Sequence, residues 1–303
     1  MEVGKFNPYH DRLGRFSTSN GYATFTIQTK DPNKQHWAEA AIAREKERAA
    51  GAGTAPASTG GKAKENLVKG LGAEHAEALE KLAQNSPAET KALWDKYAGE
   101  IKVAESSLTR GGAHCDASGA IHVNISNDAN SKLNGCPAYE TTMHESGHSI
   151  DRAISRKLGY RFSEKYNDGE FEQTLIKEAE TYIKKHQKQM SIDTGEKVTI
   201  ASARTSLGNM MRKEGFAATG DVSDMLEGAT KGKFTGSGGH GKAYWVGYDT
   251  YYGKVGGHSV AVEAFAEMFS ATTTNPASLK NIKEVFPESY GVFQKMIKEA
   301  VGL

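Results

Sequence analysis

Apolar residues in this chain recur mostly three and four positions apart, the spacing of a helix buried along one face. Leu67, Leu71, Ala78, Leu79 and Leu82 show it first, with Gly70 and Gly72 interrupting the opening turns. Residues 88–97 carry it again behind Asn85-Ser86-Pro87, a start signal. Phe171, Leu175, Ile176, Ala179 and Ile183 draw an apolar stripe through the strongly charged stretch 161–190, which predicts an amphipathic scaffold helix. Residues 198–203 read as a strand or a helix start, and two closing helices are expected around 259–272 and 287–301. The period drops to two in one place. Alternating Ile121, Val123 and Ile125, after a turn at 116–119, predict a strand of a hairpin. Pro137 is expected to open the next helix, which runs to about Lys157. The pattern is that of an α+β fold, mostly helical with a small sheet, and it contains no internal repeat.

The front of the chain differs. Its first 30 residues are polar and turn-rich, 37–48 read as a charged helix, and 50–61 are a run of small residues unable to bury enough surface to fold. This predicts a flexible arm, short helix and linker over 1–62 and a folded domain over 63–303. Lys and Arg (38) nearly balance Asp and Glu (37), so no global field points to nucleic acid or to an anionic membrane. No apolar run approaches the roughly 20 residues that cross a bilayer, and the opening residues lack the apolar core of a secretory signal. A cytoplasmic location is expected. The two cysteines, Cys115 and Cys136, are too few for a disulfide scaffold and lack metal-site spacing, so they read as free thiols.

Chemistry concentrates at His144-Glu145-Ser146-Gly147-His148. On a helix, positions i and i+4 lie one above the other, so two imidazoles at this spacing can grip one Zn²⁺. Glu145 then sits beside the open metal position, where it can serve as general base toward a water. A catalytic zinc needs a third protein ligand. The metzincin spacing would place glycine at 151 and histidine at 154, where this chain has Asp151 and Ile154. Farther on, Glu263 and Glu267 share one face of an otherwise apolar helix whose N-cap is Ser259. Two carboxylates there lose hydration and repel each other. A metal at one and the N–H of a ligand histidine at the other would compensate both. Asp249-Thr250-Tyr251-Tyr252-Gly253 offers a rival third ligand, Asp249, in a partial match to aspartate-type zincins.

The pairing of E-x-x-A-E with H-E-x-G-H-x-x-D resembles the gluzincin metallopeptidases, in particular the family of the anthrax lethal factor catalytic domain. The likeness covers roughly residues 110–300. It implies a zincin-like fold and one Zn²⁺ per chain held by His144, His148 and Glu263, with Glu145 as base and Glu267 orienting His144. It also implies a tyrosine that steadies the oxyanion, a role for which Tyr252 is the expected residue, with Tyr251 and Tyr248 as competitors. The reading is a zinc metalloendopeptidase acting on a protein or peptide substrate. Lys231, followed by five glycines up to Gly241, forms a loop leading to Tyr244-Trp245 that either lines the substrate groove or simply connects. His240 and His258 flank the region as substrate contacts, extra ligands or ordinary surface residues, and Asp151 reads as a support for the site or a partner of Arg152.

Residues 6–18, Phe-Asn-Pro-Tyr-His-Asp-Arg-Leu-Gly-Arg-Phe-Ser-Thr, are similar to a short segment of tailed-phage head-morphogenesis (minor head) proteins. That likeness implies a phage or prophage context and docking to phage head or portal components, with Tyr9 and Phe16 as anchors. Two other classes fit the chain: a virion-associated structural protein that keeps the fold without turnover, and a toxin-like protease effector. An intact Glu145 argues against the first, because a structural zinc site needs no base.

Overall fold

The computed structural model describes residues 64–104, 112–131, 135–250 and 253–303. The arm segment 6–18, the helix expected at 37–48, the linker 50–61, and Tyr251 and Tyr252 lie outside the described residues. In chain order the elements begin with α1 (Glu65–Leu71), α2 (Ala73–Gln84), α3 (Ala88–Tyr97), β1 (Lys102–Val103), β2 (His114–Cys115) and β3 (Ala120–His122). There follow α4 (Ile125–Asp128), α5 (Glu140–Leu158), α6 (Phe162–Lys165), α7 (Glu170–Thr194), α8 (Ile200–Glu214), α9 (Phe216–Ala229) and α10 (Lys242–Val246). The hairpin β4 (Tyr248–Thr250) and β5 (Gly253–Val255) precedes α11 (Val260–Thr274), α12 (Pro276–Val285) and α13 (Pro287–Gly302). Helices dominate, as the apolar spacing predicts. No helix among the described residues is long and apolar enough to cross a membrane.

Several boundaries differ from the sequence reading, each for a local reason. The strand expected through Ile125 ends at His122, because the Asn124 side chain accepts the Asn127 N–H and turns the chain into α4. Pro137 does not open α5. Its carbonyl accepts from Glu140, Tyr139 adopts a left-handed φ of 66°, and the first turn is capped from outside by Asp128. That carboxylate accepts the N–H groups of Thr141 (3.2 Å) and Thr142 (2.7 Å) and the Thr142 hydroxyl. Residues 276–285, between the closing helices expected around 259–272 and 287–301, form a helix of their own, capped by Asn275 with Pro276 in the first turn. Nothing in the sequence reading assigned α9.

The three-stranded sheet has the order β1-β3-β2, with β1 parallel and β2 antiparallel to the central β3. It packs beside α5. The core centres on α11, which is apolar almost all round and therefore must be enclosed. Its Phe265 meets the edges of Phe162 and Phe293 with centroids 6.2 and 5.4 Å away. Aromatic side chains buried this fully contribute about 1.5–3 kcal/mol each. The tightest approach is between α11 and α5. A β-carbon placed on Gly147 would lie 2.9 Å from Ala266 Cα, so the crossing tolerates no side chain there.

Replacing glycine by alanine in a free helix stabilises it by about 1 kcal/mol. Here Gly147→Ala is expected to destabilise by about 1–3 kcal/mol, the cost of overpacking. Urea unfolding of the variant measures the sign, and a gain in stability would show that α5 and α11 separate freely.

Candidate metal centre

The α5–α11 crossing places the two sequence motifs against each other. His144 and His148, one turn apart on α5, have their Nε2 atoms 3.1 Å apart. Glu263 on α11 brings Oε2 to 3.2 Å from His148 Nε2 and 3.6 Å from His144 Nε2. Ligands about 2.0–2.1 Å from a tetrahedral Zn²⁺ stand about 3.3–3.4 Å from one another, so the donor set and its spacing fit one such ion. One turn along α11, Glu267 Oε2 lies 3.1 Å from His144 Nδ1 and fixes that ring's direction. Glu145 is buried, and a carboxylate oxygen of it lies within 4.8 Å of a nitrogen of each imidazole. Its Oε2 has no hydrogen-bond partner among the described residues.

Asp249, the rival ligand, is exposed on β4 opposite Lys254 and does not join this cluster. Tyr244, on α10, is the tyrosine that does. Its hydroxyl donates to Glu263 Oε1, and its ring is stacked between His240 (4.1 Å, 18°) and His258 (3.9 Å, 4°). His240 in turn holds Asp224 Oδ1 at 2.8 Å through Nδ1. Both histidines thus have a defined place around one phenol ring. Asp151 is buried rather than paired with Arg152, and accepts the Ser163 N–H (3.0 Å) and hydroxyl (2.9 Å) at the start of α6.

Helix α9 supplies what the sequence reading missed. Asp221, Asp224 and Glu227 recur at every third position of a helix whose Val222, Met225 and Leu226 are buried. Like Glu263 and Glu267, they are carboxylates on a largely apolar helix that need compensation, and that is the signal they carry in the sequence. Glu227 accepts the Gly241 N–H (2.9 Å) and the indole N–H of Trp245 (3.1 Å), tying the glycine-rich loop to α9. A β-carbon on Gly239 would stand 2.2 Å from the Glu227 carboxylate, and its φ of 143° suits glycine alone. The loop is a packed strap over α9 rather than a free connector.

Negative charge dominates the centre. Burial resists a charge on His144, but Glu267 and Glu263 overcome it and raise the imidazole well above its ordinary value. Burial works against the Glu263 carboxylate as well, yet His148 and His144 hold it well below the usual range. Glu267 moves the other way, raised by burial and by the charge of Asp221. Burial and then Glu263 push the Tyr244 hydroxyl far up, so it stays protonated. Such a field favours a cation at the His144–His148–Glu263 donors.

Glu140, at the start of α5, is pushed up to about 8 by burial and by Asp221, against the donation from Asn275. A carboxyl whose folded pKa is raised contributes stability below its unfolded value, near 4.5, and loses it as pH rises through about 8. Melting temperatures of wild type and Glu140→Gln between pH 5 and 9 are therefore expected to diverge, with a flatter alkaline decline in the variant. Parallel curves would show that Glu140 ionises without cost.

A scan against protein-family models, a search of curated proteins and a search of solved structures give no match to this chain.

Proposed function

We propose that this chain is a zinc-dependent metallopeptidase of the gluzincin type, with a zincin-like domain that hydrolyses peptide bonds in a protein or peptide substrate. The observation that carries the reading is the near-tetrahedral spacing of His144 Nε2, His148 Nε2 and Glu263 Oε2, with the Glu145 carboxylate beside them. Its support from family likeness lies in the two motifs, and the likeness of residues 6–18 supports a phage or prophage context with docking to a head or portal component.

When bound, zinc polarises the substrate carbonyl and lowers the pKa of a water at its open position. The chain's own residues do the rest. Glu145 takes the proton of the attacking water and delivers it to the leaving amine, a use for its unpartnered buried oxygen. Glu267 orients His144 and keeps Nε2 facing the donor cluster. Tyr244 is the donor for the developing oxyanion: its single hydroxyl proton, given to Glu263 Oε1 in the resting site, turns to the oxyanion while two imidazoles clamp the ring. This gives Tyr244 the role that family likeness suggests for Tyr252. A structural protein of the virion would have no use for a base or for a poised phenol at the same ion.

Zinc retained through dialysis, measured by elemental analysis, is expected in wild type, Glu145→Gln and Asp249→Asn, and lost in Glu263→Gln. On a mixed fluorogenic peptide library Glu145→Gln should lose about 10²–10⁴ in turnover while keeping its zinc. Turnover without Glu145, or zinc held by Asp249 instead of Glu263, would refute the assignment. Tyr244→Phe should lower kcat about 10²-fold or more with little change in KM, and Tyr252→Phe should change kcat less. The reverse order would return the oxyanion role to Tyr252.

A further inference from the structure

Asp224 is a buried carboxylate that the proposed zinc site does not use. At that site one dication is offset by Glu263 and Glu145, and both imidazole ligands are neutral. Asp224 remains, 4% exposed at its side chain, with one oxygen on His240 and the other, Oδ2, buried without a hydrogen-bond partner among the described residues. A buried carboxylate oxygen left unpaired is costly, on the order of 1–3 kcal/mol or more. His240 satisfies Oδ1 only.

We propose that Asp224, His240 and Glu263 form a second divalent-cation site that shares Glu263 with the first. One donor atom from each of the three lies within 4.8 Å of the others. Asp224 Oδ1 and His240 Nδ1 face each other at 2.8 Å, a hydrogen-bond distance that holds both side chains beside Glu263. Glu263 turns Oε2 to the two α5 imidazoles, while its Oε1 accepts from Tyr244, whose ring stacks on His240. Tyr244 donates to Oε1, but a carboxylate oxygen accepts at two positions, so one stays open. Two carboxylates and one imidazole suit Zn²⁺ or Mn²⁺ better than an all-oxygen ion such as Ca²⁺. The second cation would neutralise Asp224, engage the orphan oxygen, and stand beside the first as in two-metal hydrolytic sites, whose ions are about 3.5–4 Å apart. His240 is 38% exposed at its side chain, so the site can be loaded from solvent.

The inference rests on the proposed function for Glu263 alone, and the experiment separates the two. The full chain, stripped with a chelator, is loaded with Zn²⁺, titrated with Mn²⁺ while free Mn²⁺ is followed by electron paramagnetic resonance, and analysed for both elements. Asp224→Asn and His240→Ala are treated identically, with circular dichroism and melting temperature as folding controls. Asp224→Asn keeps the shape of the side chain, and His240 is exposed enough for its truncation to leave the fold intact. The expected result is about two cations per wild-type chain and about one in each variant. One cation in wild type and in both variants would overturn the second site and leave the first standing. Two in wild type and two in both variants would place the extra ion elsewhere and equally overturn it. No cation in folded wild type would sink both readings together.

Discussion

A missing β-carbon governs this centre. His144 and His148 lie either side of Gly147, and Glu263 and Glu267 lie either side of Ala266; the two helices touch where those small residues meet. Any larger side chain at the contact would widen the crossing, and side chains that must converge within about 3.5 Å have no slack to follow. The glycine inside the H-E-x-x-H motif therefore works on packing rather than chemistry. The apolar surround of α11, with Phe265, Met268 and Phe269 fully buried, holds the crossing in place. Core and site are one construction.

The second constraint is electrostatic. Three neighbouring helices direct carboxylates inward: Glu145 from α5, Asp221 and Asp224 from α9, and Glu263 and Glu267 from α11. Without a cation the strain shows in the titrating groups: against its burial His144 is shifted upward by the acids around it, and Glu267 upward by burial and Asp221. A region assembled at such electrostatic cost stabilises strongly when an ion that binds only the folded state arrives. Fold stability and ion occupancy are thus linked through the same side chains.

The sequence revealed the centre unevenly. The i, i+4 histidines and the i, i+4 glutamates were legible because each pair breaks a local rule: polar groups of one kind on one helix face, in the second case amid apolar neighbours. Their meeting was not, since 115 positions separate His148 from Glu263 and only the small residues at 147 and 266 hint at the crossing. The stripe made α3 legible over its whole length and α7 in its body, although the span expected at 161–190 runs over α6 and a kink at Asn167 and Asp168 before α7 begins at Glu170. Helix α9 was not legible, because its alanines and glycines blur the stripe, and its carboxylates resemble a solvated face until their partners are known. Tyr244 was legible only as the end of a loop beside a candidate substrate groove, not as a member of the centre, for a similar reason. A phenol in a short helix after a glycine run carries no periodic signal, and its importance comes from His240, His258 and Glu263, which no spacing connects to it.

Buried acids also finish helices from a distance. Asp128 closes the first turn of α5 from 14 residues away, Asp151 receives the start of α6 from 12 away, and Glu178 on α7 accepts the N–H groups of Glu288 and Ser289, the latter 111 residues on. None of these helix starts is completed by its own flanking residue. Their first turns become stable only once separate parts of the chain have come together, so local helix formation cannot run far ahead of collapse. The expected behaviour is a single cooperative transition, in which α5, and the histidines it carries, is ordered at its N-terminus only as the surrounding domain is ordered too.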